Sequence, residues 1–413
     1  MTRVLFWNIQ KISPDQMSSG DYGPTADKLD YILDVIDNNY EADIFVLLEL
    51  ATDYATAGEF CPNNVKGNAA LKLLAELRAY RGNDWHLVPP ISTGEGKKSE
   101  GVAVFYDNAE VKFTGPWKSI GNTTVKNPGR GQVEQAARAP YDTCLPATEQ
   151  KLGGQWDYTD TAGKQIDFPD DQERRPWLVT FQERGRGGRN LEIIGFHAAY
   201  GDDRKQAIPS VKALQKVSEI YLDAVPNNTV RVLGGDFNVK ATSKDETKAA
   251  YDPLTVTPVG GGGQKFSWVH GAKHYKTTLK RPDTAKPLPG KFPQYRYTSN
   301  SFDQIFTKTP PGTVSSDKSM IVNQVVGVDE SFYANSGYPP QLNKTADTAK
   351  YSYPPGMTNS MYDIRNKKVV SVQRGKMIRK NMPDQDKIDL FQEGDNFGGI
   401  RTVSDHMGVI IEV

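Results

Sequence analysis

Long apolar runs are missing from this chain of 413 residues. None approaches the ~20 consecutive apolar residues of a membrane-spanning helix, so no transmembrane segment is expected. Cysteine is nearly absent. Cys61 and Cys144 are the only two, each in a Pro-containing stretch. Without metal-ligand spacing they argue against a structural zinc site, and free thiols are read in preference to a disulfide. Net charge is also missing: 50 basic residues balance 50 acidic ones. Any affinity for nucleic acid therefore has to come from a local patch and not from the overall field. The chain opens on Val4-Leu5-Phe6-Trp7 without a basic and apolar leader. The expectation is a cytoplasmic protein, a mature form, or one exported without a classical signal. Histidine is scarce, with five in all, so the place of each is informative.

What is present is a series of short apolar runs rich in Val, Ile and Phe, bounded by polar residues or glycine. Residues 4–9, 43–48, 102–106, 177–181, 191–196, 230–233, 302–306 and 408–413 read as buried strands. Helical spacing occurs three times. Leu29, Ile32, Leu33 and Ile36 follow a cap at Thr25. Leu73, Leu74 and Leu77 form a second stripe. Val211, Leu214, Val217 and Tyr221 form a third, expected to start after Pro209. Strand, helix, strand, helix and then many strands describe a mixed α/β layer protein. Segment 184–189 holds three arginines and three glycines and reads as a solvated hairpin turn in preference to a phosphate contact. Stretches 108–172, 240–300 and 308–400 lack periodicity and are read as insertions on one core.

Polar residues sit where the apolar runs end. Glu49 closes Ile44-Phe45-Val46-Leu47-Leu48, and a carboxylate there is costly to bury unless it is paired or bound to a cation. Asn8 interrupts the first run in the same way. Asp236 and Asn238 follow Gly234-Gly235, and their alternation with Phe237 puts both polar side chains on one side of an extended segment. An ordinary turn uses the same residue types. His197 ends Ile193-Ile194-Gly195-Phe196, and Asp405-His406 precedes the last run. Asp303 can fix the tautomer of His406, and Glu100 that of His197. Arg174, with Arg175 as its competitor, can grip a phosphate oxygen. Taken singly, each of these residues reads as structural, except that for Asp236 and Asn238 the structural and functional readings are even.

Taken in order, Trp-Asn-Ile, Leu-Leu-Glu, Glu-Gly-Val-Ala-Val-Phe, Arg-Arg-Pro, Gly-Phe-His, Gly-Gly-Asp-Phe-Asn, Phe-Asp-Gln-Ile-Phe and Ser-Asp-His resemble the endonuclease/exonuclease/phosphatase superfamily. This group holds the DNase I-like nucleases, abasic-site endonucleases, sphingomyelinases and inositol-polyphosphate phosphatases. The resemblance runs from Asn8 to His406, and Gly-Asp-Phe-Asn and Ser-Asp-His are its most specific parts. It implies an α+β fold: a four-layer α/β/β/α sandwich, with two mixed β-sheets packed face to face, flanked by helices and carrying long loop insertions. One domain would span 1–413, with the site at one edge. Glu49 would be the principal ligand of Mg²⁺ or Mn²⁺, helped by Asn8 and Asp405. Asp236 and Asn238 would position the attacking water and a phosphate oxygen, with a second metal as an option. His406, oriented by Asp303, would activate water or stabilise the developing charge. His197, supported by Glu100, would contact phosphate or assist the leaving group. The chain departs from the family in two respects. Met407-Gly408 follows Ser-Asp-His where a bulkier residue and Pro are usual, and about a hundred residues separate Asp303 from Asp405.

Substrate choice turns on 264–298. Lys265, Lys273, Lys276, Lys280, Arg281, Lys286, Lys291 and Arg296 face only Asp283 there, interleaved with Phe266, Trp268, Tyr275, Phe292, Tyr295 and Tyr297. Cations that track phosphates and aromatics that stack on bases suit a nucleic-acid groove, here bordered by Lys276, Lys280, Arg281, Lys291 and Arg296. A solvated loop is an equal reading, and a lipid surface is also open. The expected function is a divalent-metal-dependent phosphodiesterase hydrolysing DNA. The alternatives are a phosphoesterase for sphingomyelin-type lipid or inositol phosphates, and a catalytically silent nucleic-acid-binding module.

Overall fold

The computed structural model describes residues 1–12, 32, 42–52, 69–88, 92–94, 99–115, 119–121, 124–126, 158, 160, 162–168, 174–185, 187–199, 204–241, 244–255, 265–269, 277–278, 300–310, 318–322, 362–363, 368–369 and 404–413. In chain order, β1 (Arg3–Ile12) and β2 (Ile44–Ala51) lead to helix α1 (Ala69–Arg81). Then come β3 (Trp85–Val88), β4 (Ser92–Thr93), β5 (Glu100–Asp107), β6 (Val111–Gly115), and the short pair β7 (Ser119–Gly121) and β8 (Thr124–Lys126). β9 (Trp177–Glu183), β10 (Asn190–His197), α2 (Arg204–Ala213), β11 (Thr229–Asp236), α3 (Lys244–Thr255), β12 (Ser267–Trp268) and β13 (Asp303–Lys308) follow. β14 (Lys318–Val322), the pair β15 (Tyr362–Asp363) and β16 (Lys368–Val369), and β17 (Gly408–Glu412) complete the series.

Two mixed sheets form the core. The first has seven strands in the order β14-β17-β1-β2-β5-β3, with β4 on β5, and the second has six in the order β12-β13-β11-β10-β9-β6. Each has one parallel pair, β1 with β2 and β10 with β11, between antiparallel neighbours. The sheets pack face to face, because a Cβ on Gly234 would lie 2.6 Å from the Phe6 ring and one on Gly195 2.9 Å from Val46. The outer face of the second sheet carries Leu178, Ile194, Phe196, Leu233 and Phe306 under α2 and α3. Helix α1 lies beside β2 and β3 of the first sheet. This is the four-layer α/β/β/α arrangement expected from the sequence. Among the described residues no helix is long and apolar enough to cross a membrane.

All eight expected strands are present, with ends shifted by up to three residues. The third helical stripe is a correction. Helix α2 starts at Arg204, runs through Pro209 and ends at Ala213; a 3-10 turn at Leu214–Lys216 and a π-turn at Ser218–Leu222 follow, with extended Val217 between them. Burial of Ala207, Val211 and Leu214 on the sheet offsets the hydrogen bond that Pro209 removes. The core also reaches into stretches that lack sequence periodicity. β6, with alternating buried and exposed residues, joins the second sheet from within 108–172. α3 and β12 lie within 240–300, and β14 within 308–400. In α3 the buried residues Ala250, Tyr251 and Leu254 form too short a stripe to announce a helix. The turn between β9 and β10 is held by Arg189 on Glu183 and on the Val413 carbonyl, which favours its structural reading.

Candidate active site

Topology decides where the polar residues go. β1, β2, β10 and β11 are the two parallel pairs, and their C-terminal ends carry Asn8, Glu49, His197 and Asp236. The antiparallel neighbours begin where those strands end, which brings Glu100 (β5), Asp303 (β13) and His406 (before β17) to the same rim. Pleat parity then aims the side chains. In β10 and β11, Gly195 and Gly234 face the first sheet, so His197 and Asp236, two residues further on, face it too. His197 pairs with Asp236, and Asp236 with Asp303, so the three share one side of the sheet. In β1, Phe6 faces Gly234, and Asn8 points the same way.

Glu49 is the exception to parity. Val46 and Leu48 face the second sheet, so regular alternation would send Glu49 outward with Leu47. The ladder instead shifts register between Leu47 and Leu50 and between Asn8 and Ile12. Glu49 adopts φ +60° and Gln10 φ +51°. Such a bulge re-aims a side chain, and here it turns Glu49 to the rim. Asn8 Nδ2 then donates to Glu49 Oε1 at 2.9 Å and to Asp236 Oδ2 at 3.1 Å, while Asn8 Oδ1 accepts from the Gln10 N–H at 3.0 Å. One amide thus bridges carboxylates from the two sheets.

His197 occupies a buried nest. Its Nδ1 lies 2.5 Å from Glu100 Oε1, and its Nε2 is 3.5 Å from Asp236 Oδ2 and 3.8 Å from Glu49 Oε1. Arg174 is turned inward: Nη1 donates to the Ala198 carbonyl at 3.1 Å and lies 3.2 Å from His197 Nε2, and Nη2 is 3.3 Å from Glu100 Oε2. It therefore braces the imidazole and does not present a bidentate fork to solvent. Burial, with the Arg174 cation beside it, pushes His197 down to about 4 against the pull of Asp236 and Glu49.

His406 has the opposite surroundings. Its Nδ1 is 2.9 Å from Asp303 Oδ2 and its Nε2 3.5 Å from Asp236 Oδ2. Burial alone would depress it, but Asp303, Asp236 and Asp405 outweigh burial and hold it well above the usual imidazole range. Burial raises Asp236 itself, opposed by His406 and His197 and assisted by Asp303. Asp236 thus sits between an imidazole held above its usual range and one held below it. Its Oδ1 also accepts the Asn238 N–H at 2.9 Å, with Asn238 at φ +52°, and Asn238 Nδ2 donates to the Ala198 carbonyl at 2.9 Å.

Asn8, Glu49, Glu100, Arg174, His197, Asp236, Asn238, Asp303 and His406 are therefore connected at one rim. Asp405 lies at its border, 4.0 Å from His406 Nε2 and about one-third exposed. Lys276, Lys280, Arg281, Lys291 and Arg296 lie outside the described residues, as do Cys61, Cys144 and Thr25. Two of the aromatics read as base-stacking are placed differently. Phe266 and Trp268 pack on Phe306 in the helix-side core, because β12 adds them to the edge of the second sheet. The sequence reading gave no role to Ser404, whose hydroxyl donates to the Asn8 carbonyl at 2.6 Å and accepts the His406 N–H at 2.9 Å. Its place at the head of Ser-Asp-His was the available signal.

The donor set fits a hard divalent cation. Two triads, Glu49 with Glu100 and His197, and Asp236 with Asp303 and His406, each bring their ligand atoms within 4.8 Å of one another. Glu100 is engaged by Arg174 and His197, and Asp303 by His406, which leaves Glu49 and Asp236 as the carboxylates aimed between the sheets. Asn238 Oδ1 is buried and has no hydrogen-bond partner among the described residues. Carboxylate and amide oxygens are ligands for Mg²⁺ and Mn²⁺.

No protein-family model matches the chain, and no curated protein matches it. Solved structures of similar shape include D. rerio TDP2 complexed with single-strand DNA product, at 12% identity over 100% of this chain and 99% of that one, TM-score 0.43. A mannosyl-6-phosphatase from Bacteroides thetaiotaomicron is 14% identical over 100% and 99%, TM-score 0.40. An endonuclease/exonuclease/phosphatase family protein from Leptotrichia buccalis is 12% identical over 100% and 99%, TM-score 0.42. At such values the functional reading has to rest on the site's own geometry.

Proposed function

We propose that this chain is a divalent-metal-dependent phosphoesterase of the endonuclease/exonuclease/phosphatase kind, built as one domain, and that its substrate is a phosphodiester of DNA. The observation that carries the reading is Asp236 Oδ2, 3.5 Å from the Nε2 atoms of both His197 and His406 and bridged through Asn8 to Glu49. Two imidazoles and carboxylates from both sheets thus converge on one point. DNA as the substrate is supported by the cations of 264–298, which in sequence flank Thr277 and Thr278, the two residues that bond to the backbone of the Asp303–His406 dyad.

Glu49 is the principal candidate ligand for Mg²⁺ or Mn²⁺, with Asp236, Asn238, Asn8 and Asp405 around it. The bound ion would neutralise the charge that develops on the phosphoryl oxygens. The remaining work falls to the chain. Asp303 fixes His406 with Nδ1 inward and Nε2 toward the rim, where it exchanges a proton with water or donates to a phosphoryl oxygen. Glu100 and Arg174 hold His197 in one orientation at the rim, beside the place where the phosphate or leaving group would bind. Asp236 and Asn238 orient the attacking water. The described residues hold no covalent nucleophile in this set, so direct attack by water is the step that fits.

Cleavage of supercoiled plasmid tests the reading. Nicking with Mg²⁺ or Mn²⁺ is expected, and it should vanish with chelator and in His406→Ala. Turnover of sphingomyelin or inositol phosphates with no cleavage of DNA or RNA would move the substrate to a phosphorylated lipid or small molecule. Full activity in Asp236→Ala would refute the site.

A further inference from the structure

The hydrogen bond between Asp303 and His406 spans the two sheets. Asp303 opens β13 in the six-stranded sheet, and His406 precedes β17 in the seven-stranded one. Neither strand pairs with the other, so their separation at the rim is not set by a ladder. Thr277 is buried between them and is bonded to both sides. Its Oγ1 accepts the N–H of Phe302 at 3.1 Å and of Asp303 at 3.0 Å. Its carbonyl accepts the Met407 N–H at 2.7 Å, and its own N–H donates to the Asn300 carbonyl at 2.7 Å. Thr278, next in the chain, bridges His406, while the Thr278 hydroxyl accepts from the Asn300 N–H.

We propose that Thr277 is a positioning residue: its hydroxyl and carbonyl form a strut between the sheets that sets the reach of Asp303 to His406. This inference rests on the hydrolytic reading of the rim. The physical reason is local. One hydroxyl oxygen is the shared acceptor for the two amides that fix the start of β13, and the adjacent carbonyl fixes the start of β17. Removing the oxygen leaves two buried amides without their acceptor. The 302–303 backbone then relaxes, and the carboxylate that orients the imidazole moves with it. A misplacement of this kind lowers turnover without loosening substrate contacts elsewhere. The strut also stands at the only described point where the cation-rich stretch 264–298 meets the dyad.

Two readouts on the full-length chain test the strut, and one of them needs no turnover. Proton NMR should show a downfield Nδ1–H signal from His406, assigned by its loss in His406→Ala. Thr277→Val is expected to shift or broaden that signal, and Thr277→Ser to restore it. In plasmid cleavage, Thr277→Val should lower kcat by on the order of 10-fold with KM within about twofold of wild type, rescued by Ser. If valine prevents folding, Thr277→Cys, a weak acceptor in the same place, should give a partial shift. An unchanged signal in Thr277→Val or Thr277→Cys overturns the strut, as does the absence of the signal from the wild type. A wild-type protein with no metal-dependent activity sinks the hydrolase reading instead, and the NMR arm still decides the strut.

Discussion

Glu49 carries a local conflict between backbone conformation and side-chain chemistry. It is a charged, non-glycine residue at φ +60°, a conformation that costs on the order of 1 kcal/mol for L-residues. Asparagine tolerates that region better. Glu49→Asn is therefore expected to keep or raise thermal stability by up to about 1 kcal/mol, while metal-dependent activity falls by on the order of 100-fold. Melting and turnover of the same preparation check this split, and a matched loss of both would contradict it. Asp43 shows conflict at the opposite rim. Its Oδ2 accepts the Arg3 N–H at 2.7 Å and ties β1 to β2. Burial raises it to about 6, against the Arg3 amide and with help from Glu110 and Asp107. A carboxyl raised in the folded state binds its proton more tightly there than when unfolded. Its stabilising contribution is complete below the unfolded value near 4 and is lost as pH rises through about 6. Asp43→Asn should remove that slope and add about 1–2 kcal/mol at pH 7, as measured by denaturant melts across pH 4–7.

At the scale of elements, close packing of the sheets and the bulge together make the rim. Gly234 lets β11 lie against the Phe6 ring, where an added Cβ would stand 2.6 Å away. Gly234→Ala should force the sheets apart, costing about 1–3 kcal/mol by melting, and should lower kcat because Asn8 on β1 bridges to Asp236 on β11. An alanine variant as stable and active as wild type would mean that the sheets are not held by this contact. Much of this scaffold was legible beforehand. The eight apolar runs are strands buried throughout except at Asp43, Thr180 and Glu192, and the residues at their ends, Glu49 apart, needed only parallel and antiparallel order to reach one rim. The short or polar elements were not legible. β3 is only Trp85-His86-Leu87-Val88, β6 alternates over five residues inside an apparently irregular stretch, and α3 carries Pro253 and a three-residue stripe. The bulge was illegible for a deeper reason. Simple alternation places Glu49 with Leu47 on the outer face, and only a register shift, which leaves no mark in residue type, turns it inward. Arg174 reads as a phosphate grip until its partners Glu100, Ala198 and His197 are seen around it. Thr277 is defined by contacts 23 to 130 residues away and has no motif of its own.

On the scale of the whole molecule, the absence of net charge means that binding to a polyanion depends on where the cations sit. Replacing Lys276, Lys280 and Arg281 together with alanine is expected to weaken DNA binding and flatten its dependence on log salt by about 2–3, close to one per lost phosphate contact. An unchanged slope would return that stretch to an ordinary solvated loop. Glu49 and Asp236, carboxylates from two separate sheets, converge at one rim, and a divalent cation held between them is the centre of the proposed function. Mn²⁺ binding by calorimetry, wild type against Glu49→Gln at equal circular dichroism, tests that centre without assuming a substrate. Saturable binding by the wild type and its loss, or a weakening of at least about tenfold, in Glu49→Gln is the expected result. Equal binding by the two proteins, or none by the wild type, would contradict it.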